Sequence, residues 1–340
     1  MTPGVPWPDV VWLLAIAVLT VYLLFGGADF GGGVWDLFAW GRDVPEQRKA
    51  IAQAMGPVWE ANHVWLLFLL ILLFTGFPIA FQALMIGLYL PLNLVLLGIM
   101  LRGAAFVFRA RGRRGIGRQS GWGSTFGAAS SLTVVLLGAA LAAVSMKGPL
   151  TDPGSSWLSP FALWTGLFAL AATAYLAACY LTVEASGSLR STFRRKALLA
   201  AEAAGLAAIV ELWLLYLEAP RLFHRLASPG VLGLALLVAL LGIGSYLSLR
   251  AEHDRLGRTL AAASLALLFW SWAAAQWPYI IYPGFTVRGS AAPDLALRQL
   301  LTLVPFGLAV LVPSLWLLLH VFKGRLPLEP GPRRGPKPAS

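Results

Sequence analysis

Nine separate stretches of this chain are each long and apolar enough to cross a lipid bilayer, and no other feature narrows its fold as far. A spanning helix needs about 20 mostly apolar residues. The qualifying runs are Val10 to Ala28, Ala61 to Phe77, Leu84 to Leu101, Thr125 to Ser145, Phe161 to Val183, Ala197 to Leu217, Val231 to Leu249, Leu260 to Trp277 and Leu300 to Phe322. Within the hydrocarbon layer every backbone amide must be bonded inside its own segment, so runs this long are helices, not strands. Composition agrees, with 58% hydrophobic and 12% charged residues, where a soluble domain carries about a quarter charged. The expected class is an all-α polytopic membrane protein with nine transmembrane helices.

The net charge of +11 belongs to this topology and not to nucleic acid, because the basic residues sit between the apolar runs. All but five of the 26 Lys and Arg fall in the connections leading from odd to even helices or in the C-terminal tail; the five are Lys147, Arg221, Arg225, Arg288 and Arg298. The positive-inside rule then predicts an N-terminus outside and a C-terminus in the cytoplasm, the split an odd helix count requires. Met1 to Asp9 has no basic leader region, so the first span reads as a retained helix. Pro45 to Val58 has the length of a short interfacial helix. Residues 1–326 read as one integral membrane domain, and 327–340, rich in Pro, Arg and Gly, as a disordered basic tail. The one cysteine, Cys179, excludes an internal disulfide and a cysteine-built metal site.

Ionisable groups inside apolar segments are expensive and mark function by default. Here they gather in the first third of the chain. Asp29 sits in a glycine-rich run that ends the first span; Glu60 and His63 lie in the Trp59–Trp65 stretch where the second begins. Three apart, those two share a helix face. Arg102 stands where the third span returns to the same side. Two carboxylates with a nearby His and Arg suit a proton relay. The bland alternative is four snorkelling anchors at the interface, and the residues alone leave both readings open. Glycines around Asp29 also suit close helix packing. Glu202 and Glu211, nine apart, fall on opposite helix faces. His224 and His253 read as solvated loop residues and His320 as interfacial; no pair of histidines demands a haem. Gln276 and Tyr279 lie at the outer end of the eighth span, where the surrounding Trp and Tyr fit an aromatic belt.

At these residues the chain resembles subunit II of the cytochrome bd-type quinol oxidases. The resemblance rests on Gly27, Asp29, Gly31 and Gly33, on Arg42, and above all on the unbroken run from Pro57 through Trp59, Glu60, Asn62 and His63 to Trp65. It continues through Phe77-Pro78, Tyr89, Arg102-Gly103, Phe106, Arg109, Gln276-Trp277-Pro278, Pro313 and Val321-Phe322-Lys323-Gly324. It implies two four-helix bundles plus one peripheral helix. It also implies a non-haem subunit of an inner-membrane heterodimer, with no catalytic residue and no metal of its own.

The implied partner, subunit I, carries the haems and the quinol site; the complex oxidises quinol, reduces dioxygen and draws protons from the cytoplasm. The resemblance makes Asp29, Glu60 and His63 the proton-pathway candidates, Arg102 their charge partner, and Trp59, Asn62 and Trp65 the supporting motif. It leaves room for a small single-helix accessory subunit and a structural quinone or lipid. The family often has an acid three residues before the Asp29 position, where this chain has Gly26, and Gln or Glu where it has His63. Two other readings use the same charges: a bd-like complex with another redox reaction, and a stand-alone proton-coupled transporter, which broken helices and inverted repeats would favour.

Overall fold

A computed structural model describes residues 6–40, 43–111 and 116–323, with the side chains of 55–60, 109–111, 116–120, 319 and 321–323 outside that description. The tail expected at 327–340 lies outside it as well. In chain order the helices are α1 (Trp7–Leu37), α2 (Val44–Gly76), α3 (Pro78–Gly87), α4 (Tyr89–Arg111), α5 (Ile116–Ala143), α6 (Pro160–Glu184), α7 (Gly187–Glu218), α8 (Pro220–Leu226), α9 (Pro229–Arg250), α10 (Asp254–Gln276) and α11 (Asp294–Lys323). Strands β1 (Tyr279–Ile281) and β2 (Phe285–Thr286) form an antiparallel hairpin between the last two.

Eight of these helices are long and apolar enough to span a membrane by themselves, all except α2, α3 and α8. The expected span Ala61 to Phe77 corresponds to Ala61–Gly76 of α2, which makes a ninth only together with α3, the two being bent by 118°. Pro78 explains the break. It has no N–H to donate and crowds the turn before it, so α2 stops at Phe77, whose N–H bonds to the Leu73 carbonyl, and α3 starts afresh. The third span, expected to run unbroken from Leu84, is interrupted at Leu88 for the same reason: Pro91 in the first turn of α4 cannot donate back to Gly87.

Both of the first two helices outrun their expected bounds. The segment from Pro45 is not a separate interfacial helix; it is the start of α2, with Pro45 in the first turn, where its missing donor costs nothing. Nor does the glycine-rich run end α1, which continues to Leu37. At 1.5 Å per residue its 31 residues reach about 46 Å, well beyond a hydrocarbon layer of about 30 Å.

What carries α1 through five glycines is packing. Its Gly31 lies so close to α6 that an added Cβ would collide with the Thr173 carbonyl and lie 2.7 Å from the Ala177 methyl. Such backbone-to-backbone approach replaces the hydrophobic drive that lipid does not supply. Helix α1 therefore packs on α2, α5 and α6 together, and its residues 26–36 are all buried. At the Arg-rich end, Asp254 in the first turn of α10 receives Arg190 at 2.6 Å and Arg194 at 2.9 Å, which ties α7 to α10. At the opposite end Gln276 is buried and donates to the Val144 carbonyl at 3.0 Å, bracing α10 on the chain just past α5. Apart from Leu297 near its start, the described side chains of α11 are not buried; Phe306 and Val310 are each 70% exposed.

Candidate functional site

Asp29 and Arg102 meet inside the protein. Each is 1% exposed, and the contact is bidentate: Nη1 donates to Oδ2 at 2.5 Å and Nη2 to Oδ1 at 2.8 Å. The Arg102 Nε donates to the Ser130 hydroxyl of α5 at 3.1 Å, and that hydroxyl donates to the Phe126 carbonyl at 2.7 Å. The Phe30 ring lies 4.4 Å and the Phe126 ring 5.1 Å from the guanidinium carbon. Planar guanidinium, forked acceptor and aromatic walls are the combination that lets an arginine be buried at all. The anchor reading is thereby ruled out for these two residues, since neither reaches lipid headgroups or water.

The site is local sequence chemistry made three-dimensional. Gly33, one turn past Asp29, has no side chain where the Ser130 hydroxyl sits; a Cβ there would overlap it. The glycine thus lets α5 come close enough for Ser130 to seat Arg102.

The other candidates fall on α2. Asn62 is 1% exposed and its amide lies against Gly26, 3.1 Å from where a Cβ would stand, one turn from Asp29. His63 follows it and is half-buried. Trp65 packs beside Val18, Leu69 and Leu72, with Phe68 at 6.4 Å, and its Nε1 has no hydrogen-bond partner among the described residues. Glu60 and Trp59 belong to α2 by backbone, but their side chains lie outside the described residues. The structure thus joins Asp29 to Arg102 and places Asn62 and His63 next to that level; it does not extend to the Glu60 carboxylate.

Buried polar groups that the sequence reading passed over surround this pair. Tyr22 and Asp36, 4% and 0% exposed, lie seven residues before and after Asp29 and so on the same face of α1. That spacing is visible in the sequence, but only to a reader who lets the helix run past Ala28. Lys196, taken above as a charge of a connecting segment, is fully buried on α7. It donates to Gln47 Oε1 at 2.9 Å and the Phe38 carbonyl at 3.3 Å, and the rings of Trp35, Trp40 and Phe193 lie within 5.8 Å. No sequence signal marks it within Arg194-Arg195-Lys196.

Elsewhere Glu202 accepts from Tyr246 on α9 and Glu211 from Thr165 on α6, in keeping with opposite faces. His224 lies on α8, not in a loop, and His320 stacks on Trp316 at 5.2 Å. Among the described residues no three His, Cys, Asp or Glu side chains gather as a metal site would need.

Comparison with known proteins converges on one family. The sequence pattern described as "Cytochrome bd terminal oxidase subunit II" matches residues 7–322. The chain is 37% identical over 102 residues to cytochrome bd ubiquinol oxidase subunit 2 of Bacillus subtilis, a match covering 30% of each chain. To cytochrome bd-I ubiquinol oxidase subunit 2 of Escherichia coli it is 26% identical over 203 residues, covering 56% of this chain and 52% of that one. These two matches therefore span about half or less of the relatives' length. A longer match, 21% identical over 332 residues and covering 91% of this chain and 95% of the other, is to a putative cytochrome bd menaquinol oxidase subunit II of Bacillus subtilis. Among solved structures, bd oxidase from Geobacillus thermodenitrificans has a chain that superposes with a TM-score of 0.79 at 19% identity, over 94% of this chain and 99% of that one, a likeness of fold. With a family pattern matched over nearly its whole length, this membrane protein belongs to the cytochrome bd terminal oxidase subunit II family.

Proposed function

We propose that the chain is the non-haem subunit of a quinol-oxidising, oxygen-reducing complex in the bacterial inner membrane. It packs against a haem-bearing subunit I and supplies part of the proton route from the cytoplasm. Family membership supports the first part. The observation that carries the second is the fully buried Asp29–Arg102 pair, held by three helices one turn from the Asn62-His63 level of α2. The haems, the quinol and the dioxygen belong to the partner's chemistry.

The chain's own contribution is electrostatic. Asp29 and Arg102 together are neutral, so they can sit in low dielectric at tolerable cost. A proton placed on Asp29 would leave the guanidinium uncompensated. Uptake at this carboxylate is therefore favoured when negative charge arrives nearby, as it does when an electron reaches a redox centre in a neighbouring chain. Glu60 and His63, where α2 enters from the Arg-rich end, are the donors on the cytoplasmic side.

The test is co-expression with the haem-bearing partner, purification of the complex, and measurement of its reduced-minus-oxidised spectrum and quinol-dependent oxygen uptake. A purified complex with neither haem bands nor oxygen uptake rejects the oxidase reading. Asp29→Asn and Glu60→Gln are expected to slow uptake with haem content intact; unchanged rates in both remove the chain from the proton route.

A further inference from the structure

Along α1, positions 22, 26 and 29 repeat at intervals of four and three, which puts them on one face. Tyr22 and Asp29 supply a hydroxyl and a carboxylate to that face. Gly26 supplies nothing, and the Asn62 amide from α2 fills the space a side chain would take. Tyr22 lies within electrostatic reach of both Asp29 and Arg102. The result is a short buried column of polar groups running from the ion pair away from the Arg-rich end.

Two atoms in that column lack what burial demands. The Tyr22 hydroxyl and the Asn62 Oδ1 are buried and have no hydrogen-bond partner among the described residues. Their residues are 4% and 1% exposed. A buried polar atom without a partner is uncommon and costs about 1–3 kcal/mol. Tyr22 stands one turn before Gly26, against which the Asn62 amide rests, so the two orphan groups come from adjoining helices at neighbouring levels and can share one remedy. One ordered water can accept from the tyrosine and donate to the amide oxygen, and internal waters bind where two to four polar groups converge.

We propose that Tyr22 and Asn62 hold a structural water beside the Asp29–Arg102 pair, and that this water carries the proton one step past Asp29. The inference rests on the proton-route reading above. In the step itself, Asp29 gives its proton to the water oxygen while the water releases its other proton to a carboxylate or water of the partner subunit's part of the route, which is the acceptor. The water's composition is unchanged and Asp29 regains its charge. Tyr22 acts as a positioning residue: it orients the water and keeps its own proton.

The water hypothesis and the empty-pocket hypothesis predict opposite signs for one substitution. Tyr22→Phe removes the hydroxyl and little else. An unpartnered hydroxyl replaced by hydrogen should raise the thermal stability of the purified complex, whereas loss of a water-binding group should lower it. The expected result is a lowered midpoint with haem content intact, and oxygen uptake slowed by about tenfold with an enlarged effect of heavy water. Asn62→Leu should behave alike and, combined with Tyr22→Phe, add little, since both act through the same molecule.

Cryo-electron microscopy of the complex, at a resolution where other internal waters appear, should show density between the two side chains. A raised midpoint, or a bare site among visible waters, overturns the proposal. Tyr22→Phe turning over like wild type while Asp29→Asn is slow also overturns it and leaves the proton-route reading standing. If Asp29→Asn is unaffected as well, both fall.

Discussion

Arg102→Met is the most informative single change in this chain. Methionine matches the length of the arginine stem and fills its space between Phe30 and Phe126, so cavity formation contributes little. What disappears is the fork: two bonds to the Asp29 carboxylate, one to the Ser130 hydroxyl and a long one to the Asp29 carbonyl. Removing one member of a buried pair costs about 3–5 kcal/mol, because the charge left behind has no partner. In a membrane the unfolded reference also finds partners for its polar groups, so the lower end applies, about 3 kcal/mol. That is a factor of roughly 150 in the folded fraction. The double variant Asp29→Asn/Arg102→Met removes the stranded charge and should recover most of the loss, giving a coupling energy of about 2–3 kcal/mol. Arg102→Lys keeps the charge but not the fork and should fall between. The measurement is tryptophan fluorescence during denaturant titration of the chain purified with its partner in mixed micelles. If the two single changes add to within about 0.5 kcal/mol in the double variant, the pair is not energetically coupled, and the electrostatic account of the site fails.

Gly31→Val should block assembly outright, since the new side chain must displace the α6 backbone at Thr173; a normal yield of folded chain on gel filtration would contradict that packing. Lys196→Met keeps volume but drops the bonds to Gln47 and the Phe38 carbonyl, and is expected to lower stability by about 1–3 kcal/mol and to expose the α1–α2 connection to protease. Asp254→Asn should weaken the α7–α10 tie and lower the thermal midpoint, with Arg190 losing its carboxylate partner and Arg194 left to Glu252. Arg288→Ala removes the ion pair to Asp9, which lies in water, and should leave the midpoint within measurement scatter.

The helical class and eight of the spans follow directly from apolar runs, because lipid leaves the backbone no other way to bond. Where the reading stopped short, the cause is proline or glycine acting in context. Pro91 lies inside an expected apolar span that breaks at Leu88, and hydropathy cannot see a missing N–H. The opposite error occurred in α1, where five glycines looked like an end. Glycine costs about 1 kcal/mol relative to alanine in a helix interior, and nothing in the sequence says that Thr173, Ala177 and Ser130 approach closely enough to offset that cost.

The site was legible to the same extent and for the same reason. Asp29 and Arg102 stood out as charges where charges are expensive, and the family resemblance made Arg102 a charge partner. Tyr22 and Asp36 did not stand out, although they repeat with Asp29 every seven residues, because the last of them seemed to lie outside the helix. Once α1 runs to Leu37, glycine and polar side chain are complementary parts of one face: Gly26 admits Asn62 from α2 and Gly33 admits Ser130 from α5. A helix that must bury polar groups in lipid has to bring partners close to its own backbone, and residues without side chains are how it does so. It follows that enlarging Gly33 should disturb Arg102 more than enlarging Gly27, whose nearest neighbour is the flexible tip of Leu176 at 3.2 Å. Gly33→Ala should therefore reproduce part of the Arg102→Met loss while Gly27→Ala is tolerated, and equal effects at the two positions would show that α1 uses its glycines for packing alone.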